Sequence, residues 1–206
     1  MFYEKSLLKR LNGLTLSMEQ NGFEAGVLRL GHRVVRDKRV TMHAFLVSRA
    51  FGATAFIIHG DKDSKLEDNA RKVLNEWGGR ISIQHSEDWL KTVREWRSRG
   101  SLIVHLTMYG IPVENIINDI RRASRILVII GGQKVPREAY EASDYNVAIT
   151  NQPHSEIAAL AIFLDRLFKG KELYKQHWNA RLFIVPSPRG KVICRNPMYK
   201  KEEKVG

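Results

Sequence analysis

The segment Ile149–Glu156, ITNQPHSE, concentrates hydrogen-bonding side chains in eight positions. Asn151, Gln152 and His154 offer directed donors and acceptors, and Pro153 stiffens the loop between them. Ser155 and Glu156 then open a long apolar run at helical spacing, so the free N–H groups of a first helical turn would point back into the space the loop encloses. Two further segments share this character, each directly after an apolar stretch: Leu106-Thr107-Met108-Tyr109-Gly110 and Gly131-Gly132-Gln133-Lys134-Val135-Pro136. Their glycines let backbone come close to a ligand. Taken singly, each is ordinary turn chemistry, and His154 alone reads as a capping or core-edge residue. Three such loops at the ends of successive strands can line one pocket.

A second kind of chemistry sits between Arg29 and His43. Arg29, Arg33, Arg36, Lys38 and Arg39 place five cations within eleven residues, with His32, Asp37, Thr41 and His43 interspersed. Guanidinium groups bind phosphate in a fixed two-pronged geometry, so a nucleic-acid backbone is the natural partner. The chain as a whole supports this. Its 206 residues carry 34 Lys and Arg against 22 Asp and Glu, a net charge of +12 that favours polyanions.

Several familiar sites are missing from the sequence. It has no G-x-x-x-x-G-K-[ST] phosphate loop and no G-x-G-x-x-G after its first predicted strand. Its seven histidines form no H-x-x-x-H or H-E-x-x-H pattern, and with one cysteine a zinc site is not expected. A cofactor held by loop amides, with no phosphate to cradle, fits these absences, and S-adenosylmethionine is such a cofactor. Cys194 cannot form an intrachain disulfide, which suits a reducing, cytoplasmic setting; as part of a short predicted strand it reads as a buried, inert thiol. No run of 18 apolar residues predicts a membrane span.

The elements that must position these groups alternate. Strands are predicted at Val27–Gly31, Ala55–Gly60, Arg80–His85, Leu102–Met108, Ile126–Ile130 and Tyr145–Thr150. Helices are predicted at Thr41–Gly52, at Ser64–Trp77 with Ser64 and Glu67 at capping-box spacing, and after Ser86, where Trp89, Val93 and Trp96 share a face as core residues. Further helices follow Pro112, with Val113, Ile116, Ile117 and Ile120 facing inward, and cover Pro136–Ala142 and Ser155–Phe168. The last is apolar on nearly every side, which predicts burial on more than one face. Strand–helix alternation implies an α/β fold with a mostly parallel sheet and helices on both faces. Phe183–Pro186 and Lys191–Cys194 flank Ser187-Pro188-Arg189-Gly190 as a small C-terminal hairpin. Leu7, Leu8, Leu11 and Leu14 suggest an amphipathic helix within an N-terminal extension, 1–26, before a main domain at 27–180 and a hairpin and basic tail at 181–206.

The residues carry a resemblance. RLGHRVVRDKRVTMHAFLVSRAFGA (Arg29–Ala53), VHLTMYG (Val104–Gly110), GGQKVPREAYEASDYNVAITNQPHSEIAALAIFLDRL (Gly131–Leu167) and IVPSPRGKV (Ile184–Val192) resemble the archaeal tRNA (cytidine-56) 2′-O-methyltransferases, a branch of the SPOUT class. The likeness spans about Val27 to Val192. It implies a deep C-terminal trefoil knot, an exception to the usual avoidance of knots. It also implies a homodimer with the apolar helix at its interface, and a tRNA T-loop ribose as methyl acceptor. The resemblance places cofactor contacts at Leu106, at Gly131, Gly132, Gln133, Lys134 and Val135, and at Ile149, Thr150, Asn151, Gln152, Pro153, His154, Ser155 and Glu156. Arg29, Arg33, Arg36, Lys38 and Arg39 would bind RNA.

The sequence departs from the bacterial ribose-methyltransferase pattern of Asn, then Arg six residues later, then Phe-Gly. Counting back from Phe51-Gly52 puts Val40 and Leu46 at those positions. The catalytic arginine is therefore expected at Arg36 or Arg39, oriented by Asp37, with His43 as a proton acceptor. Methylation of another RNA position or of a base, or RNA binding without catalysis, are the alternative readings.

Overall fold

A computed structural model describes residues 22–132, 134–177, 179–197 and 199. The helix expected around Leu7–Leu14 lies outside them, as do Gln133 and nearly all of the charged tail. The elements run β1 (Glu24–His32), α1 (Lys38–Ala50), β2 (Ala55–Gly60), α2 (Ser64–Trp77), β3 (Ser82–Ser86), α3 (Trp89–Ser98) and β4 (Leu102–Pro112). They continue with α4 (Ile117–Ile120), β5 (Arg125–Gly131), α5 (Arg137–Glu141), β6 (Tyr145–Ala148), α6 (Glu156–Phe168), β7 (Leu182–Val185) and β8 (Val192–Arg195).

Six strands form one sheet in the order β3-β2-β1-β5-β4-β6, and every pairing in it is parallel. The apolar run Ile126–Ile130 is the reason β5 lies at the centre: all five side chains are fully buried. Alternate residues feed two cores. Val27, Phe56, Val104, Ile126, Val128 and Ile130 face α1, α2, α4 and α6, while Leu28, Ile57, Ile103, Leu127 and Ile129 face α3 and α5. Each such side chain contributes about 1.5–3 kcal/mol when taken fully out of water. Trp89 and Trp96 are core, as expected, and Trp96 lies over Gly26, where a Cβ would reach into its ring.

The order in which strands are added reverses at β1 and β5. From β1 the strands run outward to β2 and β3, while β4, β5 and β6 occupy the other side. That is a topological switch, and sheets of this kind gather ligands outside the carboxyl ends of the strands at such a point.

Some boundaries differ from the sequence reading for identifiable reasons. Helix α2 is capped by Asp63, whose side chain accepts from Leu66 N at 2.9 Å, while Glu67 pairs with Arg71 instead of closing a box with Ser64. Helix α3 is capped by Asp88, which accepts from Lys91 N at 3.0 Å, and Ser86 bonds Thr92 at 2.7 Å. In both cases an aspartate at the position immediately before the first helical turn takes the role. After Pro112 the chain makes a 3-10 turn, Val113–Asn115, and only four residues of α-helix, yet Val113, Ile116, Ile117 and Ile120 are all buried as their spacing predicts. Strands β7 and β8 pair as an antiparallel hairpin, Phe183 opposite Cys194. Cys194 is half-buried there rather than sealed in the core.

Candidate active site

The carboxyl ends of β5, β4 and β6 lie side by side, so the three loops predicted to line a pocket share one edge of the sheet. Strand β4 is longer than expected because it rejoins β6 after an excursion. Leu106 and Ile111 both pair with Val147, and Thr107–Gly110 bulge out between them. Gly110 passes so close to β6 that a Cβ would overlap Asn146 O and lie within 2.5 Å of Asn146 C and Val147 N. Only glycine allows that approach. Asn151 then ties the third loop to the first: its Nδ2 donates to Met108 O at 2.7 Å and to Gly110 O at 3.1 Å. Replacing Asn151 by Asp would set an acceptor against two carbonyls. The expected result is a cofactor affinity roughly tenfold weaker by calorimetry, from about 1.4 kcal/mol of lost hydrogen bonding; unchanged affinity would refute the tie.

The base of the site is braced from below. His105, fully buried, shares a proton with Asn146 Oδ1 at 2.9 Å and stands edge-on to the Tyr140 ring, 4.7 Å between centroids. Asn146 Nδ2 donates to Tyr140 O, so its Oδ1 is the acceptor for His105 Nδ1–H. Burial lowers the His105 pKa, which keeps the ring neutral. Tyr140 also reaches Thr107 Oγ1 at 3.2 Å. Tyr140, Asn146 and His105 were not singled out from sequence. Their signal was faint: polar residues inside otherwise apolar strand and helix patterns.

The second loop leaves the carboxyl end of β5, the strand beside the switch point. Gly131 ends β5 opposite Leu30, and a Cβ on it would overlap Val135 Cγ2. At Gly132 a Cβ would meet only Arg29 Nη2, at 3.8 Å, so the glycine stands beside the Arg29 guanidinium. Leu106 is buried, Val135 and Ile149 are half-buried, and Lys134, Thr150, Gln152, Pro153 and His154 are exposed. Ser155 caps α6, accepting from Ile157 N at 3.1 Å, and Glu156 begins the helix.

The Arg29–His43 segment divides in two. Arg29 lies inside β1 and is 2% exposed, so the expectation that it contacts RNA is corrected: a strand interior with Leu28 and Leu30 on either side leaves no route to a phosphate. Asp37 is also buried, and its partner is Arg33, Nε to Oδ2 at 2.8 Å, rather than Arg36 or Arg39. The reason is position: Asp37 stands four residues after Arg33 on the turn that launches α1, and Asp37 N bonds Arg33 O. The Arg33 guanidinium holds the Asp37 carboxyl below its usual range. The loop is pinned at both ends. His32 Nδ1 meets Thr41 Oγ1 at 2.8 Å, and Val34 N donates to Asp61 at 3.0 Å. Arg36, Arg39 and His43 remain exposed, with Arg39 and His43 one helical turn apart on α1. Among the described residues no hydrogen bond or ion pair joins these three to the loops of the pocket.

A cavity of about 1160 Å³ lies at the opposite, amino edge of the sheet, among Phe23, Arg49, Thr54, Phe168, Glu172 and His177. Strand amino ends are not where such folds gather ligands, and none of the predicted site residues lines it. It matters for stability. Burial, with Asp165 nearby, raises the Glu172 carboxyl to about 7, and burial beside Arg49 and Lys175 lowers His177 to about 4. Glu172 is 2% exposed with both carboxyl oxygens unbonded among the described residues. Its folded pKa exceeds the unfolded one, so its contribution is favourable in acid and is lost as pH rises from the unfolded value through about 7. Glu172→Gln should therefore stabilise the chain by roughly 1–3 kcal/mol at pH 8 and by almost nothing at pH 4 in denaturant melts. Equal stability at pH 8 would contradict that account.

Comparison with known proteins bears on the same residues. The family model described as tRNA ribose 2′-O-methyltransferase, aTrm56, matches residues 77–194. The Methanopyrus kandleri protein named tRNA (cytidine(56)-2′-O)-methyltransferase is 49% identical over 169 residues, 82% of this chain and 95% of that protein. The Thermococcus kodakarensis protein of the same name is 50% identical over 173 residues, 82% and 96% of the two chains. Among solved structures, the SpoU methyltransferase AviRb from Streptomyces viridochromogenes, in complex with AdoMet, superposes with a TM-score of 0.54 at 13% identity, over 73% of this chain and 58% of that one. That identity speaks for the fold alone.

Proposed function

The chain belongs to the archaeal tRNA (cytidine-56) ribose 2′-O-methyltransferase family, and from that premise we propose that it methylates the ribose 2′-hydroxyl of a T-loop cytidine in tRNA. The observation that carries this reading is the level of identity, 49% over 95% of the length of the M. kandleri relative. The loops suit S-adenosylmethionine: Leu106, Val135 and Ile149 are apolar and at least half-buried, and Ile149–Glu156 brings amide and hydroxyl groups to the start of α6. When bound, that cofactor supplies a methyl group on a positively charged sulfur.

The chain's own residues do the rest. Leu106, Gly131 to Val135 and Ile149 to Glu156 hold the cofactor. The acceptor hydroxyl must be presented in line and must lose its proton during transfer. Arg36 and Arg39, exposed and without an ion pair among the described residues, grip the phosphates beside the target ribose; Arg33 and Lys38 extend that surface. Arginine is a poor base, so the proton passes to His43, which shares the outer face of α1 with Arg39. Asp37 acts one step removed, by fixing Arg33 and with it the loop.

The reading includes a homodimer, a trefoil knot and a cytoplasmic setting, with 27–180 as the methyltransferase domain flanked by 1–26 and 181–206. Helix α6 supports the dimer. One face, Ala159, Leu160, Phe163, Leu164 and Leu167, is buried on the sheet, while Ile162 on another face is 41% exposed. Among the described residues no helix is long and apolar enough to cross a membrane, and no cluster of His, Cys, Asp or Glu could hold a metal.

Incubation with tRNA and cofactor labelled on the methyl group, followed by alkaline digestion, tests the reaction type. Label in an alkali-resistant dinucleotide is expected, since a methylated 2′-oxygen cannot attack its own phosphodiester. Label recovered on a free base would contradict the proposal.

A further inference from the structure

Arg29 is a buried cation that the preceding account leaves without a task. Its Nη1 donates to Leu30 O at 2.7 Å, its Nη2 reaches Glu156 Oε1 at 3.4 Å, and its Nε is buried without a partner among the described residues. Taking a guanidinium out of water is costly, and one long contact to a carboxylate offsets little of it. Burial accordingly pulls its pKa down, against the attraction of Glu156 and Asp37. An apolar side chain like those of Leu28 and Leu30 would serve the sheet better, so the fold alone does not call for arginine here.

What Arg29 does have is position. It stands on β1 beside β5 at the switch point, paired in register with Ile130. Its Nη2 reaches Glu156 at the start of α6 and lies 3.8 Å from where a Cβ on Gly132 would stand. Three residues further on, β1 ends and the Arg33–Arg39 loop departs. One side chain thus contacts the first turn of α6, stands beside the Gly131-Gly132 turn and lies three residues before the end of the strand that leads to Arg33, Arg36 and Arg39.

We propose that Arg29 is a positioning residue: by holding Glu156 at the first turn of α6 against the Gly131-Gly132 turn, it sets the spacing of the two loops that grip the cofactor. This rests on the cofactor site described above. Glu156 is the working partner, because its side chain is 26% exposed and so stands between the buried guanidinium and the pocket. The long 3.4 Å contact and the unbonded Nε leave Arg29 spare donor capacity, which suits a group that tightens when the site is filled.

The test compares the full chain with Arg29→Met, Arg29→Lys, Glu156→Gln and the Arg29→Met/Glu156→Gln double variant. Melting temperature, affinity for S-adenosylhomocysteine by calorimetry and single-turnover methyl transfer to a tRNA transcript are read for each. Arg29→Met should melt within a few degrees of the native protein, since it removes a costly buried cation while the Glu156 carboxylate it leaves behind is 26% exposed and can be hydrated. It should bind the cofactor product roughly tenfold or more weakly. Arg29→Lys, which keeps the charge but loses the fork, should recover part of that loss. Glu156→Gln, at a partly exposed position that tolerates the change, should weaken binding several-fold, and the double variant should be no worse than Arg29→Met alone because the two act as one unit. Native-like product affinity in both single variants would overturn the inference, as would losses that simply add in the double. Failure of the native chain to bind the product at all would instead overturn the cofactor site, and this inference with it.

Discussion

Arg39→Ala should lower the single-turnover methyl-transfer rate by roughly 10²- to 10³-fold while leaving affinity for the cofactor product within about twofold. The split follows from where Arg39 stands. It lies on the exposed face of the first turn of α1, with no ion pair to the fold among the described residues and none of the three pocket loops as its hydrogen-bond partner. Its truncation should change stability by no more than about 0.5 kcal/mol. What is lost is a two-pronged grip on substrate phosphate, which positions the ribose in the transition state. Arg39→Lys should recover only part of the rate, because a point charge does not reproduce the fork. Arg36→Ala, on the loop before the helix, should cost less. Full single-turnover rates in both Arg36→Ala and Arg39→Ala would refute this assignment.

Gly110→Ala should be strongly destabilising. The added carbon would overlap Asn146 O and approach Asn146 C and Val147 N to 2.5 Å, so it meets backbone, which has no rotamer to change. Relief requires moving the end of β4 away from β6. That would cost on the order of 3 kcal/mol, near the upper end for overpacking, and lower the melting temperature by roughly 6–12 °C in a chain of this size. The same shift moves Met108 O and Gly110 O away from Asn151, so cofactor affinity should fall with stability. Gly100→Ala is the control. Gly100 has φ +79°, which strains any side chain, but a Cβ there meets nothing within 4 Å. It should cost about 1–2 kcal/mol without touching affinity. A Gly110→Ala protein with native stability would mean that the β4–β6 crossing is looser than described.

Much of this arrangement is legible in the sequence, and the reasons differ by element. The apolar run Ile126–Ile130 could only be a strand buried on both faces, and it is the centre of the sheet. The three loops could be located because each breaks an apolar pattern with glycine or amide residues; that they share one edge follows from parallel strand order. The β4 excursion was hidden, because residues that bulge out and then rejoin a ladder carry no period of their own. The caps at Asp63 and Asp88 were misplaced by one or two residues, since serine and aspartate compete for the same role and only backbone conformation decides. Arg29 is the most instructive. Read as one cation among five, it belonged to a basic patch. Its neighbours Leu28 and Leu30 placed it inside a strand, but their alternation with it reads as a solvent-facing arginine; it is buried because helices cover both faces of the sheet.

Acceptance of the methyl group by one hydroxyl is the central claim, and a single atom tests it. Two tRNAs identical except for ribose or 2′-deoxyribose at the T-loop cytidine, position 56 in the relatives' names, would be incubated with the chain and labelled S-adenosylmethionine. The account predicts stoichiometric label in the ribose tRNA and none above background in the deoxy one, whose base, loop and phosphates are unchanged. Equal label in both would place the methyl group elsewhere and contradict the account.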